Sequence, residues 1–536
     1  MKTVFEAFMA TAEAAPNHAF LTVPPAPGRA YHPDGVELTY GQVRADVLRY
    51  RERYAAAGYG HGHRVALLLE NRPEFFLHYL ALNALGTSVV PINPDYRHDE
   101  MLYQMDHSEA DLVVSIAARV ADLEAVGRDR ARPLPVIDHE AMPALLPRPG
   151  RAPRVGVPDL DTECSLLYTS GTTGRPKGCI LTNLYYLNCG GWYRDLGGLV
   201  RFAWGRDRIY NPLPLFHINC QGITAMGAIL TANCLILPER FSPARWWRDV
   251  TATRATVVHY LGVVPPLLLN LAPTPEERGH SVKFGIGAGV EPQLHEAFEK
   301  RFGFPLIEVW GMTETGRLYA DAAEPRQITT RAFGRPAGGF EARVVDDGDR
   351  DVSPGTEGEL LVRWGGPEGP RHAFFAGYLK NAEATAEAWR GGWFHTGDVV
   401  CQAADGMLYL VDRKKNIIRR AGENIAAAEV EATLQAHEAV AQVAVLAVPD
   451  EIREEEVMAC VVVMAGVTSD RRLAEELFEW CRTRLAYFKA PGWVLFVPSL
   501  PTTGTQKVQK SQIFPRGADP RQRAGAVDLR DRKRRG

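Results

Sequence analysis

Short apolar stretches alternate with helical segments along roughly the first 330 residues, and this alternation constrains the fold most strongly. Val65–Glu70 predicts a strand, Pro73 lies near the first position of a helix, and Ser88–Ile92 predicts a second strand. The same order recurs between Thr256 and Val309. Because strands joined through helices form βαβ units, this part predicts largely parallel sheets covered on both faces.

The pattern of apolar residues along the sequence changes after about residue 330. Segments such as FEARVVDD and GELLVR are short, alternating and bounded by turns, which predicts antiparallel strands. The predicted fold class is therefore α/β: a large N-terminal domain (1–411) of parallel βαβ sheets with a small antiparallel sub-barrel, then a small mobile α+β domain (412–515). The Arg-rich, apolar-poor remainder (516–536) predicts a flexible tail.

Composition narrows the class of protein. The 536 residues are 46% hydrophobic and 23% charged with a formal net charge of −3, which is typical of a globular chain and excludes a dedicated nucleic-acid binder. Eight cysteines without a CxxC pair predict neither a disulfide framework nor a zinc site, and indicate a reducing, cytoplasmic setting.

The longest apolar run, Val457–Val467, is shorter than the roughly 18 residues of a membrane helix and predicts a buried strand. The acidic residues near the N-terminus do not fit a signal peptide. We therefore expect neither a membrane nor a nucleic acid as partner.

The loop Thr169–Gly178 (TSGTTGRPKG) carries the most chemical information. It follows an apolar stretch that predicts a strand. Its glycines free the backbone to surround an anion, its hydroxyls can donate hydrogen bonds, and Lys177 adds a positive charge, which together indicate a polyphosphate-binding loop. It is not a Walker A loop, because Gly and Cys follow Lys177.

Three further segments are weaker signals when taken alone. Gly285–Val290 half-resembles a dinucleotide fingerprint, but the third glycine is missing, and a tight turn against a planar ligand fits equally well. In WGMTETG, Trp310 can stack on a flat ring and Glu314 is an oxygen ligand suited to Mg²⁺, although a solvated turn is an equal alternative. Asp398, after Thr396 and Gly397, can accept ribose hydroxyls, although an Asp in a turn is the simpler interpretation.

The order of the motifs decides between these alternatives. YTSGTTGRPKG, WGMTETG, TGD, DRKKNIIRRAGENI and PTTGTQKVQK resemble the successive core motifs of the adenylate-forming (ANL) superfamily, from about residue 38 to 515. The stretch RRAGENIAAAEVE is most similar to acyl-CoA synthetases of the carnitine/crotonobetaine-CoA ligase type. The resemblance implies an acid:CoA ligase that uses Mg²⁺ and ATP to convert a small-molecule carboxylic acid to an acyl-adenylate, and then forms a thioester with CoA.

The resemblance also implies roles for individual positions. In catalysis, Lys507 would bridge the carboxylate and the α-phosphate, Thr313 would contact the α-phosphate, Glu314 would bind Mg²⁺, and His217 would lie at the mouth of the acid pocket, although a packed core histidine remains an alternative. Lys415 matches the hinge between the domains, and Gly422 matches the loop that faces CoA. The residues implied to bind the nucleotide are Thr169, Ser170, Gly171, Thr172, Thr173, Lys177, Ala288, Gly289, Val290, Trp310, Gly311, Met312, Thr313, Asp398 and Arg413.

Two departures and several alternatives accompany this prediction. Gln506 stands where the family usually has Gly, and Ala288–Val290 differs from the usual adenine-site residues, so either departure is expected to slow the first half-reaction. The alternatives are an enzyme of one half-reaction (thioesterification of a supplied acyl-AMP, or adenylation with transfer to a carrier protein), an NAD-dependent dehydrogenase and a non-enzymatic AMP-binding protein. The acid and the assembly state are left open, with a homodimer as one candidate.

Overall fold

The computed structural model describes residues 1–130, 132–169, 175–262, 264–290, 292–413, 417–501, 510, 513–515 and 518–533, without the side chains of residues 293, 412, 413, 417, 424, 426 and 428. Its contacts divide the chain into two compact units. The first unit comprises Met1–Pro94, Gln104–Leu167 and Gly178–Asp412, and the second comprises Asp95–Tyr103, Tyr168–Lys177 and Arg413–Gly536.

The α-helices are α1 Val4–Ala14, α2 Tyr40–Ala57, α3 Pro73–Asn83, α4 His98–Ser108, α5 Ala117–Arg128, α6 Asn183–Asp195, α7 Ala225–Thr231, α8 Trp246–Ala252, α9 Val264–Leu269, α10 Pro292–Phe302, α11 Ala382–Ala388, α12 Ala427–Gln435 and α13 Arg471–Arg482.

The strands are β1 Ala19–Val23, β2 Val36–Thr39, β3 Arg64–Leu68, β4 Ser88–Pro91, β5 Leu112–Ser115, β6 Val136–Asp138, β7 Glu163–Thr169, β8 Lys177–Thr182, β9 Arg208–Tyr210, β10 Cys234–Ile236, β11 Val257–Leu261, β12 Phe284–Ala288, β13 Leu306–Trp310, β14 Tyr319–Ala320, β15 Ala332–Gly334, β16 Phe340–Val345, β17 Glu357–Trp364, β18 Gly377–Tyr378, β19 Phe394–Gln402, β20 Leu408–Arg413, β21 Ile417–Arg420, β22 Glu423–Ala426, β23 Val440–Asp450, β24 Glu454–Val463, β25 Trp493–Phe496 and β26 Val527–Asp528.

The first unit contains two large sheets that are mostly parallel. One has seven strands in the order β18-β8-β7-β4-β3-β5-β6, and the other has eight in the order β14-β13-β12-β11-β9-β10-β1-β2. Pairs such as β3 with β4 and β12 with β13 are parallel, whereas β2, β14 and β18 join antiparallel at sheet edges. This confirms the βαβ prediction. The strands and the helices between them form one large core cluster, and a second cluster packs on strands of the eight-stranded sheet.

A third sheet in the first unit is antiparallel. Its five strands run in the order β15-β20-β19-β17-β16. Strand β17 pairs antiparallel with both β16 and β19, and its residues Gly358–Val362 are buried. The short alternating segments after residue 330 therefore form the small antiparallel sheet that the sequence predicts.

Local sequence explains where several helices begin. Thr39 and Gln42 form the predicted capping box of α2, in which each side chain bonds the other residue's backbone N–H. Pro73 occupies the first turn of α3, where its missing N–H costs no intrahelical bond. Thr182 caps α6 by accepting a hydrogen bond from the Tyr185 backbone N–H.

Within the described residues, no helix is both long enough and apolar enough to cross a membrane.

The C-terminal part of the second unit packs helices on a sheet of six strands. Strands β22-β21-β24-β25-β26 lie side by side and β23 pairs with β24. The apolar run Val457–Val461 is fully buried in β24, as expected of a core strand. Helix α13 is strongly amphipathic, with Leu473, Ala474, Leu477, Phe478 and Cys481 on its buried face.

The C-terminal segment differs from its prediction as a flexible tail. Val527 and Asp528 form β26, which pairs antiparallel with β25, and Leu529 is fully buried. Lys533 is also buried and donates a hydrogen bond to the Phe488 carbonyl oxygen at 3.1 Å. The arginines that suggested a solvated tail form ion pairs instead: Arg521 with Glu451, and Arg530 with Asp450. Composition alone missed this because these two arginines have acidic partners on a distant part of the chain.

Candidate active site

The candidate site of the first unit begins where two neighbouring parallel strands end. In β12 and β13, Gly287 pairs with Glu308, so the turns after Ala288 and Trp310 emerge at the same edge of the eight-stranded sheet. That edge is the usual place for ligands in parallel sheets. Gly289 has a φ of 88°, a left-handed conformation that favours glycine.

A half-buried carboxylate holds the turn after β12. Glu308 accepts hydrogen bonds from the backbone N–H of Gly289 at 2.8 Å and of Val290 at 3.3 Å, and from the Tyr260 hydroxyl at 2.7 Å. Burial raises the pKa of Glu308, while these donors and nearby His295 act in the opposite direction. The Glu308 carboxylate therefore fixes the backbone of the predicted adenine-binding turn.

Trp310 connects the eight-stranded sheet to the antiparallel sheet. Its indole Nε1–H donates a hydrogen bond to Asp398 Oδ2 at 2.8 Å, and both side chains are buried. The indole stacks on Tyr319, with ring centroids 5.7 Å apart. Asp398 lies in β19 directly after Gly397, which has a φ of 70°. Two predicted nucleotide-binding residues that are 88 positions apart are therefore in direct contact.

The turn after β13 is anchored by α6. The Tyr185 hydroxyl donates to the Thr313 carbonyl oxygen at 2.7 Å, and Asn188 Nδ2 donates to the Gly316 carbonyl oxygen at 2.7 Å. Gly316 has a φ of 62°, and a Cβ there would lie 2.2 Å from the Ala373 carbonyl oxygen. Gly311 and Met312 precede this turn, with Gly311 exposed and Met312 half-buried. The conformation of residues 311–316 is therefore set by tertiary contacts as well as by its glycines.

Glu314 is buried, and its carboxylate accepts a hydrogen bond from the Tyr378 hydroxyl at 2.9 Å. Burial and the nearby Glu314 carboxylate raise the pKa of Tyr378 far above its usual range, so the hydroxyl stays a donor. Tyr378 lies in β18 and pairs with Cys179 of β8. An oriented carboxylate of this kind suits Mg²⁺, which is commonly bound through one or two carboxylates plus substrate phosphates. Among the described residues there is no cluster of three or more acidic, His or Cys side chains that could hold a metal by themselves.

His217 precedes a π-helical turn, Asn219–Thr224, in which Cys220–Thr224 are buried. Such turns occur often at functional sites. His217 itself is half-buried and its ring packs on Phe216, with centroids 4.5 Å apart. Burial lowers the pKa of nearby His259 to about 3, and its Nε2 lies 3.4 Å from Thr224 Oγ1. The structure thus places His217 beside a buried polar segment.

Several predicted residues cannot be placed together with these. Ser170, Gly171, Thr172, Thr173, Lys415 and Lys507 lie outside the described residues, as does the side chain of Arg413. Thr169 ends β7 and Lys177 begins β8, on either side of the predicted phosphate loop. In the second unit, Ala421 and Gly422 have φ values of 48° and 86° between β21 and β22, the pattern of a type I′ hairpin turn.

The prediction from sequence missed three residues that hold the site: Glu308, Tyr378 and Tyr185. Glu308 was detectable in principle, because a carboxylate within the apolar strand LIEVW is unusual and lies two positions before Trp310, on the same face of the strand. Tyr378 and Tyr185 carry no comparable signal, since a single tyrosine fits any core.

Comparison with known proteins places the chain in a family. Residues 8–379 match the model of AMP-binding enzymes, and residues 429–507 match the model of the AMP-binding enzyme C-terminal domain. A crotonobetaine/carnitine–CoA ligase of Citrobacter koseri is 31% identical over 89% of this chain and 93% of its own. A sulfoacetate–CoA ligase of Cupriavidus necator is 32% identical over 90% and 92%.

A solved structure supports the fold. The o-succinylbenzoate CoA synthetase of Bacillus subtilis, bound to a product analogue, superposes with a TM-score of 0.80 at 24% identity, covering 96% of this chain and 98% of that one. The resemblance and the fold class predicted from sequence are both confirmed by these matches. The chain belongs to the family of AMP-binding enzymes.

Proposed function

We propose that this protein is an acid:CoA ligase, which activates a small-molecule carboxylic acid with ATP and then transfers the acyl group from AMP to CoA. The observation that carries the proposal is the gathering of Ala288–Val290, Trp310–Glu314 and Asp398 within the first unit. These segments come from three separate stretches of sequence, and each offers a group suited to a different part of a nucleotide. The two CoA-ligase relatives, named for crotonobetaine/carnitine and for sulfoacetate, support the reaction class.

Each group has a role in holding adenosine. The flat indole of Trp310 and the backbone of Ala288–Val290 would enclose the base, with Gly311 and Met312 beside it. Asp398 would accept the ribose hydroxyls, since a carboxylate has about four acceptor positions. Arg413 would assist at the ribose. The hydrogen bonds on Glu308 and Trp310 favour this assignment, because they hold these groups in one arrangement before the ligand arrives.

The phosphates would be bound by the loop around residues 169–177, by Thr313 and by the Lys177 ammonium. Mg²⁺ fits Glu314, whose carboxylate is oriented by Tyr378. When bound, the ion would neutralise phosphate charge. Because such transfers leave the protein little covalent work, positioning and charge stabilisation account for most of the catalysis.

Lys507 would supply the cation where negative charge collects between the attacking carboxylate and the α-phosphate. His217 would border the acid, Gly422 would face CoA in the second step, and Lys415 would be the pivot between the steps. A lysine carried on a small domain allows one site to run two reactions, because a change of domain orientation would exchange Lys507 for the CoA-facing loop.

The cellular setting and assembly belong to the same proposal. We propose the cytoplasm as the compartment, since none of the eight cysteines is in a disulfide and seven of them are buried. We propose a homodimer as the assembly to test by light scattering.

The decisive experiment is a screen of carboxylic acids with separate readouts for pyrophosphate release and thioester formation. With an active acid in hand, Lys507→Ala should reduce pyrophosphate release about 100-fold or more, as loss of one transition-state charge partner does. Thioester formation from synthetic acyl-AMP and CoA should stay within a few-fold of the parent.

Lys510→Ala is the matched control. Lys510 lies three positions away, but its ammonium pairs with Glu431 at 2.7 Å, which indicates a structural role. It should therefore leave both half-reactions largely intact. If no acid in the screen supports pyrophosphate release while supplied acyl-AMP is converted to thioester, the protein catalyses the second half-reaction only. If acyl-AMP forms but CoA is not used, transfer to a carrier protein becomes the better assignment.

A further inference from the structure

One hydrogen bond joins the two halves of the proposed adenosine site. Trp310 ends β13 in the eight-stranded sheet, and Asp398 lies in β19 of the antiparallel sheet. The indole Nε1–H of Trp310 donates to Asp398 Oδ2 at 2.8 Å. The bond thus links the ring that would stack on the base to the carboxylate that would accept the ribose hydroxyls.

We propose that Trp310 is a positioning residue for ribose recognition: its N–H sets the rotation of the Asp398 carboxylate so that the acceptor directions meet the ribose diol. This inference rests on the proposed function, because it takes Asp398 as the ribose acceptor. It assigns Trp310 a second role, distinct from stacking.

A donor at this place restrains the carboxylate. The terminal torsion of an aspartate is broad, so rotamer preference alone does not fix the carboxylate plane. The backbone around Asp398 is already well held: its N–H bonds Thr396 Oγ1 at 3.1 Å, and that hydroxyl donates to the Leu360 carbonyl oxygen at 2.7 Å. A bond from the indole restrains the remaining rotation, and it occupies only one of the acceptor positions of the carboxylate.

The direction of the donor is itself fixed. The indole is buried and lies against two rings, with centroids 5.7 Å from Tyr319 and 5.9 Å from Phe333. Indole is a donor only, so its N–H cannot exchange roles with the carboxylate. Phenylalanine can stack in the same place but has no group to donate.

The test compares the affinities of AMP, 2′-deoxy-AMP and 3′-deoxy-AMP by calorimetry, which needs no knowledge of the acid. The wild-type protein should prefer AMP over both deoxy analogues. Trp310→Phe should reduce that preference about five-fold or more, a factor within the range that one hydrogen bond to a charged group sustains. Loss of stacking weakens all three ligands alike and cancels in the ratio.

Two further variants define the source of the effect. Tyr319→Phe keeps the stack on Trp310 and removes only the hydroxyl that donates to the Phe340 carbonyl oxygen, so the preference should not change. In an Asp398→Asn background, Trp310→Phe should produce no further loss of preference. If Trp310→Phe folds poorly, replacing the indole by benzothiophene at position 310 removes the N–H at nearly constant shape and should give the same loss.

The outcomes separate the two claims. A wild-type protein that binds AMP without preferring it to the deoxy analogues overturns the assignment of Asp398 to the ribose, and this inference with it. A wild-type preference that survives both Trp310→Phe and the benzothiophene replacement overturns the positioning role alone, and leaves the proposed function standing.

Discussion

Two charged side chains, one in each unit of the chain, are held by different kinds of partner. In the first unit, Glu308 receives hydrogen bonds from the backbone of a turn at the ligand edge of a sheet. In the second, Lys489 donates to Glu100 at 2.7 Å and to Glu429 at 3.0 Å, so side chains satisfy side chains. The partners differ: the Glu308 carboxylate holds the backbone of the turn at the proposed site, whereas Lys489 and its two carboxylates hold elements of the second unit together.

The second unit has another such cluster. Glu456 is fully buried and accepts hydrogen bonds from Arg420 and Lys533. Burial lowers the pKa of Lys533 to about 7, an effect that Glu456 opposes and the positive charge of Arg420 reinforces. This cluster ties the last described residues to the sheet, and it explains why the predicted tail is part of the fold.

The largest expected effect on stability comes from removing the Lys489 ammonium. Lys489→Met should lower the free energy of unfolding by about 3–5 kcal/mol, because it leaves the buried carboxylate of Glu100 and the largely buried carboxylate of Glu429 without their cation. Urea denaturation measures this loss. Lys510→Met is the control, since its partially exposed pair with Glu431 should contribute only about 0–1 kcal/mol. Equal losses for the two variants would remove the distinction between the clusters.

A smaller and functional effect is expected at Glu308. In the wild-type protein, the backbone N–H groups of Gly289 and Val290 bond different oxygens of the Glu308 carboxylate. Glu308→Gln replaces one of these oxygens by an NH₂ group, so one backbone N–H then faces a donor instead of an acceptor. AMP affinity should fall about ten-fold, close to the effect of losing one hydrogen bond to a charged group. The affinity for CoA should not change. Calorimetry measures the affinities for AMP and for CoA.

Tyr260→Phe is a milder variant that acts on the same Glu308 carboxylate. It removes one donor to the carboxylate but leaves both backbone bonds, so its loss of AMP affinity should be the smaller. If Glu308→Gln lowers the melting temperature strongly and AMP affinity not at all, then Glu308 belongs with the fold-stabilising charges and the comparison fails.

The smallest effect is a pH dependence in the first unit. Although burial favours the neutral form, hydrogen bonds from Arg326, together with nearby His295, hold the pKa of Glu299 at about 2, below its ordinary 4.5. The resulting stabilisation is fully present above pH 4.5 and is lost as the pH falls towards 2. Glu299→Gln should therefore flatten the dependence of the unfolding free energy on pH in that window, as followed by urea denaturation.

Glu324→Gln is the matched control for Glu299, because both carboxylates contact Arg326 and the Glu324 side chain is 58% exposed. Its effect on the acid slope should be smaller. A larger change for Glu324→Gln would show that burial does not decide which of the two contacts matters.

Much of the site was predictable from sequence because its groups lie in short, contiguous motifs. Trp310, Thr313 and Glu314 lie within seven consecutive residues, and Asp398 follows a recognisable Thr-Gly pair. The supporting residues were not predictable in this way. Tyr378 acts on Glu314 from 64 positions away, and Tyr185 acts on Thr313 from 128.

The sequence by itself determined the fold class, the division into parallel and antiparallel sheets, and the types of chemical group at the proposed nucleotide site. These follow from local periodicity and motif spacing, which act over a few residues. Only the tertiary structure decided that Trp310 meets Asp398, that Glu308 supports Gly289 and Val290, and that the Arg-rich C-terminal segment joins a sheet. The physical reason is that a hydrogen bond or a strand pair depends on which distant groups face each other, and local patterns do not encode that choice.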